Sequence, residues 1–211
     1  MRITTSLLAL ALSAVSFGAQ AGVGATQVTS GPTSLVGGVT TVDFDSPTPA
    51  GISYSGGNVV SGSSSGVYAA PPGDLGNYLT VGPSTPATAT FGGAGARYFG
   101  FLLGSPDAYN SVSFTDSNGL VTTLTGSQLV TGTQPPIGAD GNQGNQLYFN
   151  AWASAGTTFK TVTFSSTSYA METDNHSFIL AAVPEPETYA MLLAGLGLVG
   201  CAARRRANKA A

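Results

Sequence analysis

The chain has 211 residues, 42% of them hydrophobic and 8% charged, with 29 glycines, 12 prolines, a single cysteine and a single histidine. Between residues 22 and 182, Arg97 and Lys160 stand against eight carboxylates. This stretch therefore cannot assemble the phosphate contacts on which nucleic-acid affinity rests, and anionic membranes repel it. Cys201 has no second cysteine to pair with, and one histidine is too few for a histidine-based zinc centre.

In chain order, Met1-Arg2 is a positive start, Ile3 to Val15 is mostly apolar, and Ala19-Gln20-Ala21 is a small-x-small site before Gly22. This pattern predicts a secretory signal peptide over residues 1–21, with cleavage after Ala25 as the alternative. Residues 22–182 show almost no helical periodicity. Short β-like runs separated by turn residues predict strands at Thr40–Phe44, Tyr78–Val81, Thr88–Phe91, Tyr98–Leu103, Ser111–Thr115, Val121–Thr125, Gln146–Trp152, Thr161–Ser165 and Ser177–Ala181. In Val112-Ser113-Phe114 and Val162-Thr163-Phe164 the apolar residues fall on one face. Asp116-Ser117-Asn118-Gly119 suits a hairpin, because Asn-Gly accepts the positive φ of a tight turn. The expectation is an all-β domain, an antiparallel β-sandwich of jelly-roll type. Gly56 to Gly66, closed by Pro71-Pro72-Gly73, and Thr133 to Asn145 read as long loops, where binding function tends to reside.

The last residues, 183–211, give three instructions in succession: Val183-Pro184-Glu185-Pro186, an apolar run from Tyr189 to Ala203, and Arg204-Arg205-Arg206. The prolines exclude helix at the start. The apolar run predicts a single hydrophobic helix of about 22 Å, shorter than the ~30 Å hydrocarbon core, and the arginines form a membrane stop on the cytoplasmic side. This order resembles the PEP-CTERM sorting tail of exported bacterial proteins. Tyr98 to Phe114, with Gly104-Ser105-Pro106-Asp107-Ala108-Tyr109-Asn110 between two strands, is similar to a signature of PEP-CTERM surface proteins. Phe164 to Asn175 resembles their closing Phe-Glu-x-Asp-Asn strand, with Leu103 and Met171 standing where an aromatic is usual. The resemblance implies handling by exosortase, transient anchoring in the inner membrane, and a final place at the surface or in the extracellular, biofilm-associated matrix of a Gram-negative bacterium. A permanent anchor that is never processed is the alternative.

Catalytic constellations are sparse. His176 has no cysteine nucleophile in the body, no serine sits in a Gly-x-Ser-x-Gly elbow, and Gly92-Gly93-Ala94-Gly95-Ala96-Arg97 opens no helix that would cradle a phosphate. The reading is a protein that is not an enzyme, with a secreted hydrolase as the least favoured class. Oxygen ligands in a cation-poor exported domain suit calcium. Glu172, Asp174 and Asn175 are its candidate ligands, joined by Asp43 or Asp45 where the first and last strands pair; no other cofactor is expected. The second class is a carbohydrate-binding module, with Tyr109, Tyr148 and Trp152, together with Tyr68, as the rings that would stack on extracellular polysaccharide.

Overall fold

The structure is a computed structural model that describes residues 22–183 and 191–199. The signal-peptide reading of residues 1–21, Pro184, Glu185 and Pro186 of the sorting motif, and the Arg204, Arg205 and Arg206 stop lie outside the described residues. Val183 is described and exposed. The chain divides into two units at Ala181 and Ala182.

The first unit is built from β1 (Val23–Thr29), β2 (Thr40–Val42), β3 (Ile52–Gly56), β4 (Asn58–Ser61), β5 (Asn77–Val81), β6 (Ala87–Phe91), β7 (Ala96–Gly104), β8 (Asn110–Asp116), β9 (Val121–Thr125), a one-turn helix α1 (Gly126–Leu129), β10 (Gln146–Ala153), β11 (Phe159–Ser166) and β12 (Met171–Leu180). Every pairing is antiparallel. One layer runs β1-β10-β7-β12-β5-β4, with β2 on the far half of β12; the other runs β3-β6-β11-β8-β9. The layers meet at a corner where Phe159 pairs with Ala96. The fold is an antiparallel β-sandwich.

Alternation drives the packing. Phe99, Phe101 and Leu103 of β7, with Phe149, Met171 and Phe178, face Val112, Phe114, Val162 and Phe164 of the other layer. Each such fully buried ring contributes about 1.5–3 kcal/mol by leaving water. The two alternating triplets pair directly, Val162 with Phe114 and Phe164 with Val112.

Four differences from the sequence expectation have local causes. The strand expected to reach Phe44 ends at Val42, because Phe44 takes a positive φ of 53°. The stretch 56–66, expected as loop, contains β4, a short edge strand whose bonds go to β5. β1 and β3 lie outside the nine expected strands and pair with β10 and β6. The closing strand implied by the resemblance and the one expected at Ser177–Ala181 form one strand, β12. It is broken by a register shift between Asp174 and Ser177, where Asn175 has φ 49°. That bulge turns His176 inward, onto Phe164 (centroids 4.9 Å apart, planes at 24°).

In the second unit, residues 191–199 are helical and expose Met191, Leu192, Leu193, Leu196, Leu198 and Val199. Among the described residues no helix is long and apolar enough to cross a membrane.

Candidate functional site

Four loops converge at one end of the sandwich: residues 63–69 after β4, 105–109 between β7 and β8, 140–143 before β10, and 169–172 leading into β12. They enclose a cleft of about 670 Å³. The walls are held by backbone bonds. Ser105 N–H donates to Asn145 O (2.9 Å), Ala108 N–H to Ala139 O (3.0 Å), and Gly141 N–H to Pro106 O (2.9 Å), which ties the second loop to the third. Gly141, at φ 69°, lies against the Asp107 carboxylate; a Cβ there would meet its Oδ1 at 2.6 Å, so the approach requires glycine. The first loop closes on itself through Ser64 and Tyr68 (2.9 and 3.0 Å). It also reaches across to β12, where Ala69 N–H donates to Glu172 Oε1 at 3.0 Å.

The lining is aromatic and acidic. Tyr68, Tyr109 and Tyr169 share the cleft with Asp107, Asp140 and Glu172. Tyr169 is 64% exposed and its ring centroid is 6.3 Å from that of Tyr109. Tyr68 leans edge-on to buried Tyr78 (6.4 Å, 75°). Glu172 is 4% exposed. Burial pushes its carboxyl up to about 7, the Ala69 N–H works against this, and the neighbouring Asp107 adds to the rise. Tyr109 is pushed above the ordinary phenol range, first by burial and then by Asp107. Ser105, at φ 43°, is 5% exposed, and its Oγ has no hydrogen-bond partner. A second groove of about 480 Å³, lined by Val59, Val60 and Pro83, shares Tyr68 and Tyr169 with the cleft.

The residues expected from sequence divide. Tyr109, Tyr68 and Glu172 come together in the cleft. Tyr148 does not serve as a platform. It is 0% exposed, its ring lies on the outer face of β10, and its hydroxyl donates to Asn175 O (2.8 Å), so no sugar can reach its face. Trp152 is half-buried against Tyr98 (5.3 Å) and takes no part in the cleft.

The calcium ligands are also dispersed, although β2 does pair with β12. Asp43 caps its own turn, accepting from the N–H of Asp45 (3.2 Å) and of Ser46 (2.9 Å). The Asn175 amide donates to Pro32 O (3.1 Å). Asp174 is raised to about 7, by burial above all and then by Asp74, Asp45 and Asp43, while the Asn175 N–H opposes the shift. Among the described residues no three His, Cys, Asp or Glu side chains are grouped to hold a metal. His176 is 0% exposed and serves the core, its neutral form favoured by burial.

Tyr169, Asp107 and Asp140 complete the cleft beside the residues expected from sequence. Tyr169 and Asp107 both lie in the segments that carry the family resemblance.

A family 11 carbohydrate-binding module of the cellulosomal cellulase Lic26A-Cel5E of Clostridium thermocellum is similar in structure, with a TM-score of 0.32 and 11% identity over 70% of this chain and 98% of that chain. No curated protein sequence matches. Residues 182–207 match the family model of the PEP-CTERM protein-sorting motif, which makes this chain a protein with a PEP-CTERM sorting domain.

Proposed function

We propose that this is an exported, non-enzymatic protein of the cell surface or extracellular matrix, processed by exosortase at its tail, whose β-sandwich engages exopolysaccharide through the tyrosine-lined cleft. The observation that carries the delivery is the sorting motif over residues 182–207. Three tyrosines bordering one cleft support the saccharide part, since aromatic faces pack on the apolar faces of sugar rings. Calcium remains a proposal for this protein only as a weak ligand of one or two carboxylates, given the dispersed oxygen set.

The test is fractionation of producing cells with mass spectrometry of the native protein. The expected product lacks the C-terminal run and is found outside the inner membrane. Deleting the residues after Thr188 should move the protein to a different fraction. An intact C-terminus through Ala211 on the surface product would overturn exosortase processing.

A further inference from the structure

We infer that the ligand of the cleft carries free amines: a polymer of de-N-acetylated amino sugar, with its ammonium groups received by Asp107, Asp140 and Glu172. This rests on the saccharide reading above and names the sugar class.

The lining sets the sign of the charge. Three carboxylates face the cleft, and no Lys, Arg or His is among its lining residues. Asp107 disfavours the charge on Glu172, a repulsion that no neighbouring cation offsets. An ammonium ion between them would relieve it and would gain charge-assisted hydrogen bonds. One Glu172 oxygen is already fixed by the Ala69 N–H, which holds the carboxylate in place for the bond.

An independent observation points to the same ligand. Ser105 is nine-tenths buried, its Oγ has no partner, and it lines this cleft. A buried hydroxyl without a partner is unfavourable, and a sugar hydroxyl or amine entering the cleft would satisfy it. Tyr68, Tyr109 and Tyr169 supply the third element. Their faces stack on pyranose rings, and a cation over a tyrosine ring is itself attracted. Calcium fits the site less well, because no three acidic side chains among the described residues are grouped for it. A cleft of about 670 Å³ lined by three tyrosines suits a row of sugars better than a bare ion.

The test titrates the exported protein calorimetrically, at low ionic strength, with three hexasaccharides: glucosamine, N-acetylglucosamine and glucose oligomers. The glucosamine oligomer should bind at least ten times more tightly than the other two, and added salt should weaken it. Asp107→Asn and Glu172→Gln should each lower its affinity about tenfold. Circular dichroism checks the fold of each variant. Should Glu172→Gln fail to fold, Asp107→Asn decides alone, and unchanged affinity in it overturns the inference. Equal binding of all three oligomers overturns the amine assignment and leaves the saccharide reading standing. No binding of any oligomer removes both. Tighter binding of hexalysine, or of millimolar calcium alone, than of the glucosamine oligomer would also overturn the assignment.

Discussion

The phenolic oxygen of Tyr54 lies 2.9 Å from Nδ1 of His176, and on the other side of the ring Nε2 lies 3.0 Å from Oγ1 of Thr173. A neutral imidazole donates at one nitrogen and accepts at the other, and hydroxyls do both. The ring is thus satisfied at both ends while Phe44, Phe99, Phe101 and Phe164 surround it. The layers are cross-linked through it, since Tyr54 is on β3 and Thr173 and His176 are on β12.

His176→Ala should therefore destabilise the protein by about 3–5 kcal/mol, the range for truncating a large buried ring. His176→Phe keeps the volume but leaves the buried Thr173 hydroxyl without its partner, at a cost of about 1–3 kcal/mol. Urea unfolding measures both. Equal midpoints for His176→Phe and the parent would show that the two hydrogen bonds contribute nothing net.

The pH dependence of stability has a definite sign. Burial, the leading cause for each, raises Glu172 from 4.5 and Asp174 from 3.8 to about 7, and lowers His176 from 6.5 to about 3. A carboxyl that keeps its proton longer in the folded state contributes stability that is full below its unfolded value and is lost as pH climbs through about 7. The imidazole acts oppositely: its contribution is present above 6.5 and lost as pH falls toward about 3. Asp43 is held below its ordinary carboxylate value, chiefly by the Ser46 N–H.

Two carboxyls outweigh one imidazole between about pH 4.5 and 6.5, so the thermal midpoint should decline as pH rises across that interval. Asp174→Asn, which cannot ionise, should raise the midpoint above about pH 7, where Asp174 carries charge beside Asp74, Asp45 and Asp43, with little gain near pH 3.8. A midpoint that rises with pH through the interval would contradict this assignment.

The sandwich was legible because its central strands alternate. Val112-Ser113-Phe114 and Val162-Thr163-Phe164 present their apolar side chains to one core and pair with each other. β4 was not legible, because its two valines are adjacent and fall on opposite faces of a four-residue strand, which leaves no alternating pattern. Neither was the bulge at Asn175, since a positive φ at one residue leaves no periodic trace. The cleft depends on tertiary closure: residues as far apart as Ser63 and Glu172 meet there. Tyr148 misleads for the same reason. Its position on a strand is correct, but the ring is 0% exposed and its hydroxyl is tied to Asn175 O.

The tyrosines offer a direct comparison of binding and stability. Tyr169→Ala removes an exposed ring and should change stability by less than about 0.5 kcal/mol, while weakening saccharide binding about tenfold, equivalent to about 1.4 kcal/mol. Tyr148→Ala should do the reverse, costing about 3–5 kcal/mol of stability through a buried void. Paired calorimetry and thermal melts separate the two. Loss of binding in Trp152→Ala but not in Tyr169→Ala would move the site to the β1 edge of the sheet.

Gly100 sits where the outer face of β7 is most crowded. A Cβ there would collide with the Tyr98 hydroxyl and would approach Tyr148 Cε1 at 2.8 Å and Phe149 O at 3.0 Å. The two rings therefore cross a position that must lack a side chain. Tyr98 has little room to yield, since its hydroxyl donates to Asn150 Oδ1 (2.7 Å) and is 2.7 Å from Ser34 Oγ. Asn150 in turn donates to Gln27 O on β1 (3.1 Å), so a displaced Tyr98 ring would disturb the first strand as well. Gly100→Ala should destabilise the protein by about 1–3 kcal/mol through overpacking, despite the usual gain from replacing glycine in a strand. Urea unfolding reads this as a lower midpoint at unchanged slope. If the variant were as stable as the parent, the Tyr98 and Tyr148 rings would have to accommodate a methyl group without losing the Asn150 bond.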